Sequence, residues 1–257
     1  MSLRVLVSVK RVPAPGARIN LTADGQEVDT AHLGFTTSPH EECAVEAAVQ
    51  LVEAHGGTAT VLTLGRPEAE EQLRYAVSVG ITSAVLLPIE GPDWDPQRTA
   101  CGIVTAIGQL ESAEGRYDVI LFGNESADSA GFQVGIRVAH ALGRPMVNGA
   151  KGIEVADGMV HVRRPSDAGE EAYALPLPAV VGVKEGINLP RYPTMKGRLA
   201  SKRGNVTRLD VTAEPGGQQL VRLFRPPERV SQTTILGNGP DAAPAVVDLL
   251  EDLGVLA

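Results

Sequence analysis

The feature that most constrains how this chain can fold is an alternation, repeated as far as Leu142, of short apolar runs with segments whose apolar residues recur at helical spacing. The first run, Leu3 to Val9, is almost wholly apolar and rich in Val. It suits a central parallel strand covered on both faces, because a strand with one wet face would alternate apolar with polar residues. Ser38-Pro39-His40-Glu41 then carries the marks of a helix start: a hydroxyl to cap, a proline at the first helical position and a glutamate that completes a capping box. Behind it Ala44, Val45, Ala48, Val49 and Val52 recur at helical spacing until Gly56-Gly57 closes the element, and Ala59 to Leu64 reads as the next strand. Pro67 opens a second helix bearing Glu68, Glu70 and Glu71, Ser83 to Leu87 reads as a strand and Pro96 to Leu110 as a helix. Asp118 to Phe122 is again a strand and Gln133 to Leu142 again a helix. Such βαβ repeats predict an α/β fold with a doubly wound, mostly parallel sheet.

Beyond Gly143 the texture changes. Ile153 to Val155 and Met159 to Val162 flank Asp157-Gly158, a dipeptide that favours a hairpin turn, and Tyr173 to Leu175 and Ala179 to Val183 read as further strands; all are expected to extend the same sheet. From Arg191 onward Pro, Gly and basic residues dominate, with short apolar clusters until Ala242 to Leu253, which can form a terminal helix. A tail of that kind buries little by itself and is expected to wrap a partner. The expected division is therefore an α/β domain over residues 1–190 and an extension over 191–257.

Charge and cysteine content narrow the function. A net charge of -8 argues against general nucleic-acid affinity, which needs a basic face. Cys43 and Cys101 lie in apolar, helix-like stretches outside any CxxC pair, so both are expected as small buried thiols in a reducing compartment. The sequence starts directly on the apolar run with no basic leader, and no apolar stretch reaches the roughly 18 residues of a membrane span, so a cytoplasmic location and no membrane span are expected.

The segment richest in chemistry is Asp118-Val-Ile-Leu-Phe-Gly-Asn-Glu-Ser-Ala-Asp-Ser-Ala-Gly-Phe-Gln-Val-Gly135, where a buried strand delivers small polar residues into a helix start. Unpaired amides and the positive dipole end of that helix can hold a phosphate, which makes Gly123, Asn124, Glu125, Ser126, Ala127, Asp128, Ser129, Ala130, Gly131, Phe132, Gln133 and Val134 candidate binding residues. Ligands of open parallel sheets sit at the carboxyl ends of the strands, so Ser8, Leu64 and the helix start Ser38, Pro39, His40 and Glu41 line the same crevice. Adenosine monophosphate or a dinucleotide would fit it. Spacing alone also permits a plain capped helix after a loop, Ser38 and Glu41 as mere caps, and His40 as a solvated surface histidine. The chain has no GxGxxG, GxxxxGK[ST], HExxH or CxxC motif, and although Asp128, Glu125 and His40 are acid-base types, no nucleophile stands beside a base of its own. Binding is expected, with no catalytic residue and no metal ligand.

A second segment, Ile187 to Arg203, belongs to a stretch that holds six basic residues and no acid between Arg191 and Arg208. Tyr192, Met195 and Leu199 interleave apolar anchors with Arg191, Lys196 and Arg198, the make-up of an exposed surface that recognises an acidic protein.

Val7-Ser-Val-Lys-Arg-Val-Pro13, Glu42-Cys-Ala-Val-Glu-Ala-Ala48, the Gly123 to Gly135 loop, Leu177-Pro-Ala-Val-Val-Gly-Val183 and Pro190-Arg-Tyr192 resemble, in order and spacing, electron transfer flavoprotein beta subunits. The resemblance implies a Rossmann-like, adenine nucleotide alpha hydrolase-like domain with a C-terminal extended arm. It implies a heterodimer with an alpha subunit that holds the redox FAD, the arm embracing that partner. It also implies a non-catalytic electron carrier between flavoprotein dehydrogenases, such as the acyl-CoA dehydrogenases of fatty acid oxidation, and a downstream quinone oxidoreductase. The crevice would take a structural AMP, or a second FAD in electron-bifurcating members, and the segment after Pro190-Arg-Tyr192 would be the dehydrogenase recognition loop with Met195 at its tip. A stand-alone adenine-nucleotide-binding protein of similar architecture is the alternative. The sequence departs from the family at His40 and Glu41, where an aromatic residue and a Cys are usual, and at Asn124-Glu125, where a basic residue and Gln are usual. Its recognition segment reads Gly-Arg-Leu-Ala-Ser-Lys-Arg in place of the usual Gly-Ile-Met-[Ala/Lys]-Ala-Lys.

Overall fold

A computed structural model describes residues 2–227 and 233–256, and the chain divides between Leu223 and Phe224 into two compact units. The first begins with β1 (Leu3–Ser8) and an excursion holding β2 (Arg11–Pro13), β3 (Asn20–Leu21), β4 (Val28–Asp29) and β5 (Phe35–Thr37), in which β2 pairs with β5 and β3 with β4, both antiparallel. The alternation read from the sequence follows: α1 (Pro39–His55), β6 (Gly57–Gly65), α2 (Glu70–Ser78), β7 (Ser83–Pro88), α3 (Pro96–Glu114), β8 (Val119–Gly123) and α4 (Gln133–Ala141). After it come β9 (Met146–Ala150), β10 (Gly152–Ala156), β11 (Met159–Ser166), β12 (Gly169–Pro176), β13 (Ala179–Val183), α5 (Met195–Arg203) and β14 (Val206–Arg208).

The main sheet runs β14-β7-β6-β1-β8-β13-β9, and every neighbouring pair is parallel. From β1 the chain steps outward through β6 to β7, then crosses back to lay β8 on the other side of β1. Winding reverses there, so the gap between the carboxyl ends of β1 and β8 is the switch point where helices leave on opposite faces and a crevice opens. Burial explains why the strands read as unbroken apolar runs. Leu3, Val5 and Val7 of β1 pack in one core with α1 and α2, while Leu6 packs in a second core with Ile103 and Ile107 of α3 and Val138 of α4.

Several local expectations are corrected. Asp157 and Gly158 do take positive φ, 50° and 73°, in a hairpin turn, but β10, β11 and β12 form a separate antiparallel sheet and only β13 joins the main one. Period-2 patterning marks a strand without saying which neighbour it pairs with. Cys43 is buried as expected, whereas Cys101 is exposed on α3, on a turn whose inward positions are taken by Ala100 and Ile103. The chain after Arg191 is more ordered than its composition suggests. Thr194 caps α5 by accepting from the Gly197 N–H, β14 extends the main sheet beside β7, and Val211 is buried in the core beneath α3. The second unit contains a 3-10 turn, Gly239–Ala242, leading into α6 (Ala243–Asp252), the expected terminal helix, which exposes Val246, Val247 and Leu249. Among the described residues no helix is long and apolar enough to cross a membrane.

Candidate functional site

At the switch point the loop after β8 meets the start of α1 and the chain just beyond β1. Gly123 makes this approach possible: a Cβ there would stand 2.7 Å from Cγ of Glu41 and 3.3 Å from Cβ of His40. The loop then closes on itself. Ser126 N–H donates to the Gly131 carbonyl at 3.2 Å, Ala130 N–H donates to the Ser126 carbonyl at 2.8 Å, and the Ser126 hydroxyl lies 2.7 Å from both Asp128 Oδ1 and the Ser129 hydroxyl. Ala130 pays for the closure with a φ of 49°, a left-handed conformation that costs a residue with a Cβ about 1–2 kcal/mol.

Lys10 spans the gap. Its Nζ donates to Asp128 Oδ2 at 2.6 Å, and its backbone N–H donates to Glu41 Oε2 at 2.9 Å. Burial pushes the Glu41 carboxyl up to about 8; the Lys10 N–H and charge oppose that rise, and the Asp128 charge adds to it. Glu41 is therefore protonated at neutral pH. Burial also acts on Asp128, but there the Lys10 ammonium and the hydrogen bonds from Lys10 and Ser126 outweigh it and hold the carboxyl below its ordinary range.

His40 is not the solvated surface residue of the simplest reading. It is buried, its Nδ1 accepts from the Glu185 N–H at 2.8 Å, and its Nε2 lies 3.2 Å from Glu125 Oε1. Acceptance at Nδ1 leaves the ring proton on Nε2, which donates to Glu125. Nor does a capping box form. Ser38 makes no side-chain cap and its buried hydroxyl has no hydrogen-bond partner, while Glu41 is turned to Lys10.

The remaining candidates divide. Ser8 is buried at the end of β1, and Asn124 is fixed by its N–H on the Val183 carbonyl at 2.7 Å. Leu64 leans toward α3 and Trp94, packing in the core on that side. Gln133 accepts from Arg137 one turn on, and Phe132 is exposed before an α4 that has no side-chain cap. Those uncapped amides, the orphaned Ser38 hydroxyl and the Lys10 ammonium are a donor set that fits a phosphate and a ribose hydroxyl. Sequence reasoning missed Lys10 as a site residue, although its place two residues past a central strand is where a switch-point ligand must be met.

Of the second candidate group, Tyr192, Met195 and Leu199 are 90%, 74% and 54% exposed, and Lys196 and Arg198 are exposed beside them on α5. Arg191 is turned inward instead. Its guanidinium forks onto Glu46, Nε to Oε2 at 2.8 Å and a second nitrogen to Oε1 at 2.9 Å, and reaches Glu53 at 2.7 and 2.9 Å. Gly197 lets α5 sit down on α2, where a Cβ would stand 2.0 Å from the Ser78 carbonyl, and Arg74 donates to the Ser201 carbonyl at 2.6 Å.

Comparison with known proteins adds an independent line. The family model described as "Electron transfer flavoprotein domain" matches residues 27–214. The chain is similar to proteins named electron transfer flavoprotein subunit beta: 34% identical to that of Mycobacterium leprae over 79% of this chain and 77% of the relative. The counterpart from Syntrophomonas wolfei is 33% identical over 90% and 89%, and that from Bacillus subtilis 30% identical over 83% and 84%.

Proposed function

The chain belongs to the electron transfer flavoprotein family as a beta subunit, and on that premise we propose that it binds AMP at the β1/β8 crevice and steadies an alpha subunit whose FAD carries the electrons. The observation that carries the nucleotide reading is the meeting, at the β1/β8 reversal of winding order, of uncapped helix amides, the Lys10 ammonium and the unpartnered Ser38 hydroxyl. When bound, the flavin of the partner supplies the redox chemistry. This chain's part is to bind and to position, as befits a family of carriers.

AMP is favoured over a second FAD by the charges of the crevice. Lys10 is already engaged by Asp128, and Glu125 adds a further carboxylate. The single phosphate of AMP asks for one cluster of donors, such as the α4 amides with Lys10, whereas a pyrophosphate bridge presents two phosphates to be held among these carboxylates. Donors are flavoprotein dehydrogenases such as acyl-CoA dehydrogenases, met by Tyr192, Met195 and Leu199 with Lys196 and Arg198 beside them, and the acceptor is a quinone oxidoreductase downstream. The C-terminal segment from Phe224 embraces the alpha subunit, consistent with the exposed apolar face of α6. No membrane span and a cytoplasmic location complete the reading.

Co-purification with the alpha subunit, followed by flavin absorbance and a count of nucleotides per heterodimer, tests it. One FAD and one AMP are expected. Two flavins would establish the bifurcating type instead, and a stable lone chain hydrolysing ATP would overturn the carrier reading.

A further inference from the structure

Between β13 and α5 the chain runs back along α1, and it is tied there at a constant offset. Glu185 N–H donates to His40 Nδ1 at 2.8 Å, Asn188 Nδ2 donates to the Cys43 carbonyl at 3.0 Å, and Arg191 Nε donates to Glu46 Oε2 at 2.8 Å, each pair 145 residues apart. Three residues climb only about 4.5 Å of helix, whereas three extended residues span about 10 Å, so the strap has to be coiled to keep step. Gly186, at φ +78°, makes the turn. The ties start at one candidate site and end at the other. His40 holds Glu185 with one ring nitrogen and Glu125 of the nucleotide loop with the other. At the far end Arg191 clasps Glu46 and Glu53 of α1, three residues before the Thr194 cap of α5.

We infer that residues 185–191 are a strap that couples the crevice to α5, so that an anion resetting Glu125 also resets, through His40 and α1, the footing of Met195. The differential contact is electrostatic and local. A phosphate arriving at the loop repels the Glu125 carboxylate that now accepts the His40 Nε2–H, and a released imidazole loosens its hold on the Glu185 amide. Arg191 is then a positioning residue, which acts by anchoring the chain that enters α5 to the helix that starts in the crevice.

The inference rests on the AMP reading, and hydrogen exchange with calorimetry separates the two. In the alpha-beta complex stripped of nucleotide, added AMP should change exchange of amides 185–203 by about tenfold, the middle of the usual range for coupled sites, while those of β10, β11 and β12 stay unchanged. In Arg191→Lys, which keeps the charge but cannot fork onto two carboxylates, the response at 192–203 should shrink to within about twofold and AMP affinity should shift by the factor lost, because coupling is reciprocal. Asn188→Ala, which cuts the strap at its middle tie, repeats the measurement should the arginine variant fold poorly. AMP that binds by calorimetry yet leaves 185–203 unmoved, or an undiminished response in both variants, overturns the strap. A parent complex that does not bind AMP overturns the nucleotide reading, and the strap with it.

Discussion

Lys10 reaches from the chain just beyond β1 to Asp128 in the loop after β8, Nζ to Oδ2 at 2.6 Å, and so bridges the two strand ends between which the winding of the sheet reverses. A cation at that point compensates Asp128 and, on the proposed nucleotide reading, is a side-chain charge for the phosphate. Lys10→Met should lower AMP affinity roughly ten- to hundredfold, because hydrogen bonds to charged groups contribute about 1.5–3 kcal/mol. Burial would then act on Asp128 with little opposition, and its carboxyl should titrate higher than in the parent. Calorimetry on the alpha-beta complex checks the first effect; unaltered affinity would remove Lys10 from the phosphate site.

Glu41 makes stability depend on pH in a direction opposite to that of a salt-bridged carboxylate. Its folded pKa of about 8 lies above the ordinary 4.5. Below the lower value both states are protonated and the fold carries no penalty. As pH rises from there to about 8 the unfolded chain ionises and the folded one does not, so stability falls across that window and levels off above it. Glu41→Gln removes this dependence. Since each pKa unit between the states corresponds to about 1.4 kcal/mol, the variant should match the parent near pH 4 and exceed it by a few kcal/mol at pH 9. Urea unfolding at the two pH values measures this, and parallel curves would show that Glu41 is not buried as a neutral acid.

The fold was legible where one physical signal dominates. Unbroken Val and Leu runs separated by helical spacing leave few arrangements besides a parallel sheet under helices, and β1, β6, β7 and β8 stand within two residues of where the patterning puts them. Pairing partners were not legible. β10 and β11 carry the same alternation whether they extend the main sheet or fold against β12, and the choice depends on contacts distant in sequence. The crevice was legible as a place, since strand ends and a polar loop converge there, but its wiring was not. Buried His40 accepts from Glu185, far along the chain, and the Glu41 carboxyl is turned to Lys10 in place of the Ser38 amide. α5 escaped notice because Lys, Arg, Ser and Gly give it no apolar stripe; its place is set by the Thr194 cap and by Gly197 against Ser78.

Gly123→Ala tests whether the close approach of β8 to α1 is required for binding. The added Cβ would meet Cγ of Glu41 at 2.7 Å and push the start of α1 off the loop. Overpacking of this sort typically costs about 1–3 kcal/mol, so the complex should still fold while AMP occupancy, read from nucleotide released on denaturation, falls well below that of the parent. Full occupancy would mean that the crevice tolerates a wider gap than its geometry suggests.

Met195 and Gly197 separate the proposed docking surface from the seat that holds it. Met195 is 74% exposed at the start of α5, so Met195→Ala removes an apolar tip without leaving a cavity in the chain. Flavin content and thermal stability should therefore be unchanged, while stopped-flow reduction by the cognate dehydrogenase should need about ten times more donor for half-maximal rate, the loss expected of an interface anchor worth 1–2 kcal/mol. Gly197→Ala leaves the tip intact and places a Cβ 2.0 Å from the Ser78 carbonyl, which lifts α5 from α2. It should weaken docking as strongly, and unlike Met195→Ala it should also raise proteolysis within 195–203. If both variants accept electrons with parent kinetics, α5 is not the docking helix, and the basic stretch around it has another partner.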